Sequence, residues 1–151
     1  MTPPAAGRPG LAGEERRAGL EPCPCGRAAP YDACCARYHA GPGHLQAPDP
    51  ESLMRSRYSA FVKDARAYLL DTWHASERPE AIEAPEPGLK WLGLSVREAP
   101  PPVGDQGEVS FVARYKVGGR AHRLEERSAF VREDGRWFYL KAVPVPGQGD
   151  G

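Results

Sequence analysis

The chain has 151 residues, 40% of them hydrophobic, and its 20 basic and 20 acidic residues give a formal net charge of zero. This length predicts one domain with a small appendage, and the charge balance excludes a bulk electrostatic signal for binding nucleic acid or an anionic membrane. No stretch approaches the roughly 18 apolar residues that cross a bilayer, and the first residues lack the apolar region of an export signal, so we expect a cytoplasmic protein.

Glycine and proline, 17 of each, mark the segments between and beyond the predicted elements. They predict a disordered extension over residues 1–20, a linker over 42–48 and a disordered tail over 144–151. The remaining chain falls into two parts, a short cysteine-containing segment at 21–41 and a larger domain at 49–143.

The short segment holds all four cysteines of the chain, Cys23, Cys25, Cys34 and Cys35. A C-x-C pair followed closely by a C-C pair can bring four thiolates together without any distant part of the fold, as a small structural zinc site requires. Pro24 and Gly26 favour the tight turn between the first ligands, because proline fixes one backbone angle and glycine tolerates positive φ. The spacing therefore predicts a zinc knuckle.

Other interpretations of these thiols are weaker. Disulfides are typical of secreted chains, and redox pairs usually carry C-x-x-C at the start of a helix. His39 is an alternative ligand in place of Cys35, since it lies four residues further on and would share a helix face with it. The ligand set is therefore either the four cysteines or three of them with His39.

A strong helix start follows the linker. Asp49 is a typical N-cap, and Pro50 and Glu51 suit the first turn. The spacing of the apolar residues indicates one buried face, formed by Met54, Tyr58, Phe61, Ala65 and Leu69. Because Asp64 can act as a second N-cap, we predict two helices, over 50–62 and 65–74, with a bend between them.

From Leu89 onward the hydrophobic period becomes two, which is typical of strands. The predicted strands are 89–97, 108–117, 120–132 and 136–143. Gly118-Gly119 and Asp134-Gly135 predict hairpin turns between the last three. Helices followed by an antiparallel meander predict an α+β fold in which the helices cover one face of a curved sheet. The other face makes a homodimer through the sheet a candidate assembly.

The strand over 120–132 carries the polar residues of most interest. Alternation places Glu126 and Ser128 on the same face as Leu124 and Phe130, so the polar pair points inward if the apolar pair does. One interpretation is a buried ion pair between Glu126 and an arginine of the first helix, Arg55 or Arg57. The other is a pocket in which Glu126 is a general base with His122 or His74 as proton partner. The predicted pocket residues are Arg55, Tyr58, Trp73, Trp91, Tyr115, Glu126, Ser128 and Trp137.

These motifs support a family resemblance. Cys23-Pro-Cys-Gly26 with Tyr31-x-x-Cys34-Cys35 resembles the SEC-C zinc motif. The run Asp49-Pro-Glu-x-Leu-Met-Arg-Ser-Arg-Tyr-x-Ala-Phe-Val62 resembles the signature of the YchJ family of bacterial proteins. Further matching runs extend the resemblance over about residues 23–143.

The resemblance implies an N-terminal zinc knuckle joined to a nuclear-transport-factor-2-like cone, with Zn²⁺ held by Cys23, Cys25, Cys34 and Cys35. In the secretion ATPase that gives the motif its name, the motif docks on proteins or ribosomes, so it implies a similar partner here. The motif usually continues Gly-Ser-Gly-Lys-Lys, whereas residues 26–30 read Gly-Arg-Ala-Ala-Pro. The basic contact surface is thereby reduced to Arg27.

The family implies no particular activity. We therefore expect a binding or adaptor protein rather than an enzyme, with the cone as a scaffold or small-ligand pocket. The alternative is a small hydrolase or isomerase with Glu126 as general base.

Overall fold

The structure is a computed structural model that describes residues 20–144. It contains three α-helices and four strands: α1 Ala36–His39, α2 Pro50–Lys63, α3 Arg66–Asp71, β1 Lys90–Glu98, β2 Gln106–Val117, β3 Arg120–Glu133 and β4 Arg136–Val143. A 3₁₀ turn at Tyr31–Ala33 precedes α1. The predicted extension and tail lie outside the described residues apart from Leu20 and Pro144.

Helix α2 begins as the sequence indicates. The Asp49 carboxylate accepts a hydrogen bond of 2.7 Å from the backbone N–H of Ser52, and Pro50 occupies the first turn. The prediction that Asp64 caps the next helix is wrong. Asp64 has a left-handed φ of 57° and its N–H bonds to carbonyls of α2, so it ends that helix, and Ala65 precedes α3 without a side-chain cap.

Helix α3 ends at Asp71, earlier than the predicted residue 74. The backbone of the following residues pairs with β4 instead. The Tyr139 N–H donates to the Thr72 carbonyl at 2.8 Å, and the His74 N–H donates to the Tyr139 carbonyl at 2.8 Å. These bonds satisfy groups that a longer helix would have used internally. The segment after α3 thus forms a short parallel bridge to the edge of the sheet.

The sheet is an antiparallel meander in the order β1-β2-β3-β4. Both hairpin turns are confirmed, with positive φ at Gly118 and Gly119 and at Asp134 and Gly135, as a type I′ turn requires. Register shifts in β1 and between Ala129 and Phe130 of β3 bend the strands. The predicted α+β class, with helices on one face of a curved sheet, is confirmed.

The core lies between α2, α3 and the sheet. The helices contribute Leu53, Met54, Tyr58 and Leu69, and the strands contribute Val109, Phe111, Phe130 and Trp137. Among residues 20–144, no helix combines the length and apolar character needed to span a membrane.

Helix α2 is buried on its other side as well. Ser52, Ser56 and Ser59 are buried. The side chains of Ser52 and Ser59 face the cysteine segment at residues 21–41, here called the knuckle, and the backbone carbonyl of Ser56 bonds to His39 of that segment. These small side chains allow the knuckle to approach the helix closely. Helix α2 therefore packs against the knuckle on one side and against the sheet on the other. The domain formed by α2, α3 and the sheet is called the cone below.

Candidate metal centre and cone cavity

The four cysteines converge on one point. Their sulfur atoms all lie within 4.8 Å of one another, and all four residues are buried. Cys25 Sγ and Cys34 Sγ are 3.7 Å apart, close to the edge of about 3.8 Å of a tetrahedron with metal–sulfur bonds of about 2.3 Å. The cysteines are free thiols, and this separation far exceeds a disulfide bond of about 2.05 Å.

Local backbone bonds bring the sulfurs together. Gly26 has a φ of 94°, and its N–H donates to the Cys23 carbonyl at 3.2 Å, which closes the turn between the first pair. Cys23 N–H donates to Ala29 at 3.0 Å, and the 3₁₀ turn then delivers Cys34 and Cys35 to the same point. The turn that Pro24 and Gly26 predict is therefore present.

The close packing of the thiols shifts the pKa values of Cys23, Cys34 and Cys35. Hydrogen bonds from Cys25 and Cys35 lower the pKa of Cys23. Burial raises the pKa of the Cys34 thiol to about 11, and hydrogen bonds to Cys23 and Cys25 raise the pKa of Cys35. Without a cation the cluster thus resists carrying several negative charges. A bound dication would offset them and release the protons.

The donor set fits a metal site, and four sulfur ligands in a closed arrangement fit a zinc-binding protein. The structure does not place His39 among these ligands. Its Nε2 bonds to the Ser56 carbonyl at 2.8 Å and its Nδ1 to the Tyr31 hydroxyl at 2.7 Å. Because the carbonyl can only accept, Nε2 is the donor and Nδ1 accepts from Tyr31. Both nitrogens are therefore used in joining the knuckle to α2.

Several further contacts fix the knuckle on α2. Arg55 donates to the Cys25 carbonyl at 2.7 Å, and Arg27 donates to the Ser52 hydroxyl at 3.2 Å. Ser59 Oγ lies 3.5 Å from Cys23 Sγ, so its hydroxyl can hydrogen bond to the sulfur of a candidate ligand. The sequence analysis did not predict Ser52 and Ser59 as contacts of the knuckle, although their spacing of seven residues places them on one helix face.

A cavity of about 260 Å³ lies between α2 and the sheet. Its lining is mostly aromatic and apolar, and consists of Met54, Arg57, Tyr58, Phe61, Trp73, Trp91, Phe111, Ala113, Leu124, Glu126, Ser128 and Tyr139. Of the predicted pocket residues, the structure brings together Tyr58, Trp73, Trp91, Glu126 and Ser128.

Three predicted pocket residues lie elsewhere. Arg55 points to the knuckle, on the other side of α2. Tyr115 is not part of the cavity lining and stacks on His122, with ring centroids 5.1 Å apart. Trp137 is buried in the core nearer the β3–β4 turn, with the Arg132 guanidinium 5.0 Å from its ring.

The predicted ion pair of Glu126 is wrong. Glu126 Oε2 accepts hydrogen bonds from Ser128 at 2.7 Å and from Tyr139 at 3.3 Å. Arg55 forms its ion pair with Glu51, at 2.9 Å. Within the described chain, Arg57 makes no ion pair and donates to the Leu69 carbonyl and the Thr72 hydroxyl.

Arg57 is the charged residue that the pocket prediction missed. It is only 4% exposed, and burial lowers its pKa to about 10, so it remains protonated at neutral pH. Its guanidinium lies over the rings of Tyr139 and Trp73, at 4.5 and 5.3 Å from their centroids. The sequence held a signal for this position, because residue 57 is three after Met54 and four before Phe61.

Neither candidate histidine lines the cavity. His74 Nε2 lies 2.7 Å from Glu133 Oε2, and its Nδ1 bonds to Ser76. His122 is exposed and stacks on Tyr115. Glu126 therefore has a serine and a tyrosine as neighbours and no histidine as proton partner.

A four-cysteine knuckle packed on an α+β domain with a four-stranded sheet defines the class of cysteine-knuckle proteins with a nuclear-transport-factor-2-like domain. Residues 49–142 match the sequence model of the family described as "YchJ, middle NTF2-like domain". The chain belongs to this YchJ-like family.

Sequence relatives agree. A UPF0225 protein of Methylibium petroleiphilum is 66% identical over 119 residues, which cover 79% of this chain and 85% of the relative. A UPF0225 protein of Bordetella pertussis is 52% identical over 118 residues, which cover 78% and 89% of the two chains.

Two solved structures share the fold. The solution structure of RPA3114, a SEC-C motif containing protein from Rhodopseudomonas palustris, has a TM-score of 0.69 and 30% identity, over 82% of this chain and 98% of that one. The crystal structure of a SEC-C motif containing protein from Psychrobacter arcticus has a TM-score of 0.65 and 24% identity, over 85% and 86%.

Proposed function

We propose that this is a zinc-dependent binding protein. Zn²⁺ closes the knuckle and holds it on α2, and the cone cavity holds a small organic molecule. The observation that carries the proposal is the convergence of four buried cysteine sulfurs within 4.8 Å. Four protein ligands leave no open position for a substrate or a catalytic water, so the metal has a structural role.

Cys23, Cys25, Cys34 and Cys35 would hold the ion, which would cross-link the knuckle and offset the thiolate charge. Contacts between the knuckle and α2 transmit this ordering to the α+β domain. Arg55 holds the Cys25 carbonyl and His39 holds the Ser56 carbonyl, so ordering the knuckle also orders the helix that lines the cavity. Metal binding and cavity shape are linked through α2.

The partner that we propose for the knuckle is a protein or a ribosome. SEC-C motif containing proteins are among its structural neighbours. Arg27 is turned inward, where it bonds to Ser52 and lies 3.7 Å from Glu51. Arg37 is exposed on the knuckle. Docking would therefore use the outer side of the knuckle around Arg37. Arg37→Glu should weaken capture of a partner, and Arg37→Gln is the control, because both variants lose the 2.8 Å bond from Arg37 Nε to the Cys34 carbonyl and only the first reverses the charge.

The enzyme alternative receives less support. Within the cavity lining, Glu126 shares its Oε2 with Ser128 and Tyr139, and the predicted histidine partners lie outside. General base catalysis needs a base within reach of the substrate proton and a route for that proton. The cavity lining includes the Glu126 carboxylate but neither His74 nor His122, the predicted proton partners.

Elemental analysis of the purified protein tests the metal proposal. We expect about one zinc per chain, and its loss in Cys34→Ser. Ala33→Ser is the matched control, because it adds the same side chain at the adjacent exposed position. A chelator should expose four reactive thiols and lower the melting temperature. A metal-free protein with four reactive thiols and an unchanged melting temperature would overturn the proposal.

A further inference from the structure

The cavity contains a buried cation whose charge is not paired. Arg57 is 4% exposed, and its two hydrogen bonds to protein, of 2.8 Å to Leu69 O and 2.7 Å to Thr72 Oγ1, both come from Nη1. Both acceptors are neutral. The Nε and Nη2 groups donate to no residue in the described chain, apart from lying near the faces of Tyr139 and Trp73.

The N–H groups of Arg57 that lack a protein partner are not completely buried. Within residues 20–144, the one fully buried side-chain nitrogen or oxygen without a hydrogen-bond partner is Trp73 Nε1. The unpartnered Nε and Nη2 atoms of Arg57 are therefore not sealed off. Since Arg57 lines the cavity and is otherwise covered, the cavity is what gives access to them.

An anion is the natural complement to such a group. A guanidinium that is removed from water and lacks a counter-ion favours a planar anion that accepts two parallel hydrogen bonds, as a carboxylate does. Glu126 does not serve this purpose, because it forms no ion pair with Arg57 and acts on it only through space.

Glu126 adds a second requirement. Its Oε2 is used by Ser128 and Tyr139, whereas Oε1 has no partner in the described part of the chain and is not among the sealed atoms. A ligand anion would be repelled by this carboxylate unless another ligand group donated a hydrogen bond to it. The ligand therefore needs a hydroxyl or ammonium group besides its anion.

The rest of the lining sets the shape of the ligand. Six aromatic residues line the cavity: Tyr58, Phe61, Trp73, Trp91, Phe111 and Tyr139. Rings of this kind favour a flat apolar body through stacked and edge contacts. The volume of about 260 Å³ is below the range of about 300–1,000 Å³ of typical ligand pockets, so a single ring is the expected size.

We propose that the cavity binds a single-ring organic carboxylate that also carries a hydrogen-bond donor. The carboxylate pairs with Nε and Nη2 of Arg57, the ring lies among the aromatic side chains, and the donor bonds to Glu126 Oε1. This inference rests on the cavity half of the proposed function and adds the class of ligand.

Matched test compounds examine the ligand class on the native zinc-loaded protein. We expect 4-hydroxybenzoate to quench tryptophan fluorescence, because Trp73 and Trp91 line the cavity, and to shift their indole resonances. The neutral 4-hydroxybenzamide should bind about ten- to hundredfold more weakly, the loss expected when a charged hydrogen-bond partner is removed. Benzoate, which lacks the donor, should also bind more weakly than 4-hydroxybenzoate.

Variants locate the binding site. Arg57→Met should abolish the preference for carboxylate over amide, and Glu126→Gln should reduce the advantage of 4-hydroxybenzoate over benzoate. Arg66→Met is the control, because Arg66 lies exposed on α3 and pairs with Asp64. If Arg57→Met does not fold, the comparison of carboxylate with amide on the native protein still decides the ligand class.

The outcomes separate the two proposals. Equal binding of acid and amide overturns the carboxylate inference but leaves a ligand-binding cavity. No binding of any of the three compounds up to solubility overturns the inference, and with it the cavity half of the proposed function. The zinc half is tested independently by the metal analysis.

Discussion

Arg55 Nη1 lies 2.7 Å from the carbonyl oxygen of Cys25, so a side chain of α2 holds the backbone of a candidate metal ligand. Arg55 Nε also bonds to Glu51 at 2.9 Å, which fixes the guanidinium in place. Cys25 is fully buried, and its carbonyl therefore depends on this donor. The knuckle and the helix stabilise each other through this bond.

Replacing Arg55 should loosen the knuckle. In Arg55→Leu the buried Cys25 carbonyl loses its donor, which should reduce the free energy of unfolding by about 1–3 kcal/mol. A chelator should also remove metal faster than from the native protein. Urea unfolding and competition with a chromogenic chelator measure the two effects.

The control for Arg55 is Arg66→Leu. Arg66 pairs with Asp64 at 2.9 Å on the surface, and such pairs contribute less than about 1 kcal/mol. Equal effects of the two substitutions would show that the bond to Cys25 has no special role.

Acid should destabilise the contact between the knuckle and α2 that His39 makes through the Ser56 carbonyl. Burial lowers the pKa of His39 below its ordinary value of 6.5, so the folded protein resists a proton that the unfolded chain takes up. This stability is complete above about pH 6.5 and decreases as the pH falls toward the lower folded value. His39→Gln should therefore lose less stability than the native protein between about pH 7.5 and 5.5, as measured by chemical unfolding.

Metal loss in acid would affect both proteins, so the difference between them is the informative quantity. His122→Gln, at an exposed position on β3, should behave like the native protein. An identical dependence of stability on pH for His39→Gln and the native protein would contradict the assignment of His39 as a half-buried, neutral histidine.

Alkali should act through Tyr68. Burial raises the pKa of Tyr68 to about 12, and its hydroxyl bonds to Ser56 at 2.7 Å. A folded pKa above the ordinary value of 10 stabilises the protein below about pH 10, and this contribution is lost as the pH rises toward 12. The native protein should lose about 1 kcal/mol from this residue by pH 11.

Tyr68→Phe isolates this effect. The variant should be about 1 kcal/mol less stable at pH 7, because it loses a hydrogen bond, and the gap should close at about pH 11. Other alkaline titrations, including that of Arg57, are common to both proteins and cancel in the comparison. A gap that stays constant from pH 7 to 11 would contradict the buried-tyrosine assignment.

Gly107 should tolerate no side chain. A Cβ at this position would lie 2.6 Å from Pro50 Cγ, in the first turn of α2. Because the proline ring cannot swing away, the helix start or the strand must shift. Gly107→Ala should destabilise the protein by about 1–3 kcal/mol. Ser110→Ala on the same strand is the control. A similar melting temperature for the two variants would show that the structure around Gly107 and Pro50 can adjust to a Cβ at little cost.

Local signals in the sequence predicted much of the fold. The two hairpins follow from dipeptides that tolerate positive φ, and the start of α2 follows from Asp49 and Pro50. The end of α3 was not predictable in this way. The residues after it pair with Tyr139, far along the chain, and such a contact leaves no trace in the local pattern.

The candidate site was predicted unevenly for a related reason. The spacing of the cysteines alone indicated a joint metal site, since their arrangement is local. The two arginines were harder to assign, because Arg55 and Arg57 are close in sequence but face opposite sides of α2. Helical geometry separates them: Arg55 lies on the same side as Ser52 and Ser59, and Arg57 lies on the same side as Met54 and Phe61. Only the packed knuckle shows that both sides are buried.

The two buried sides of α2 also restrict how this protein can change in evolution. Each residue turns an α-helix by about 100°, so a single insertion or deletion after Ser52 would rotate Arg55, Arg57 and Ser59 together. Arg57 would then leave the cavity, and Ser59 would leave Cys23. Point substitutions can alter the cavity or the knuckle separately, but a change in the length of this helix would damage both at once.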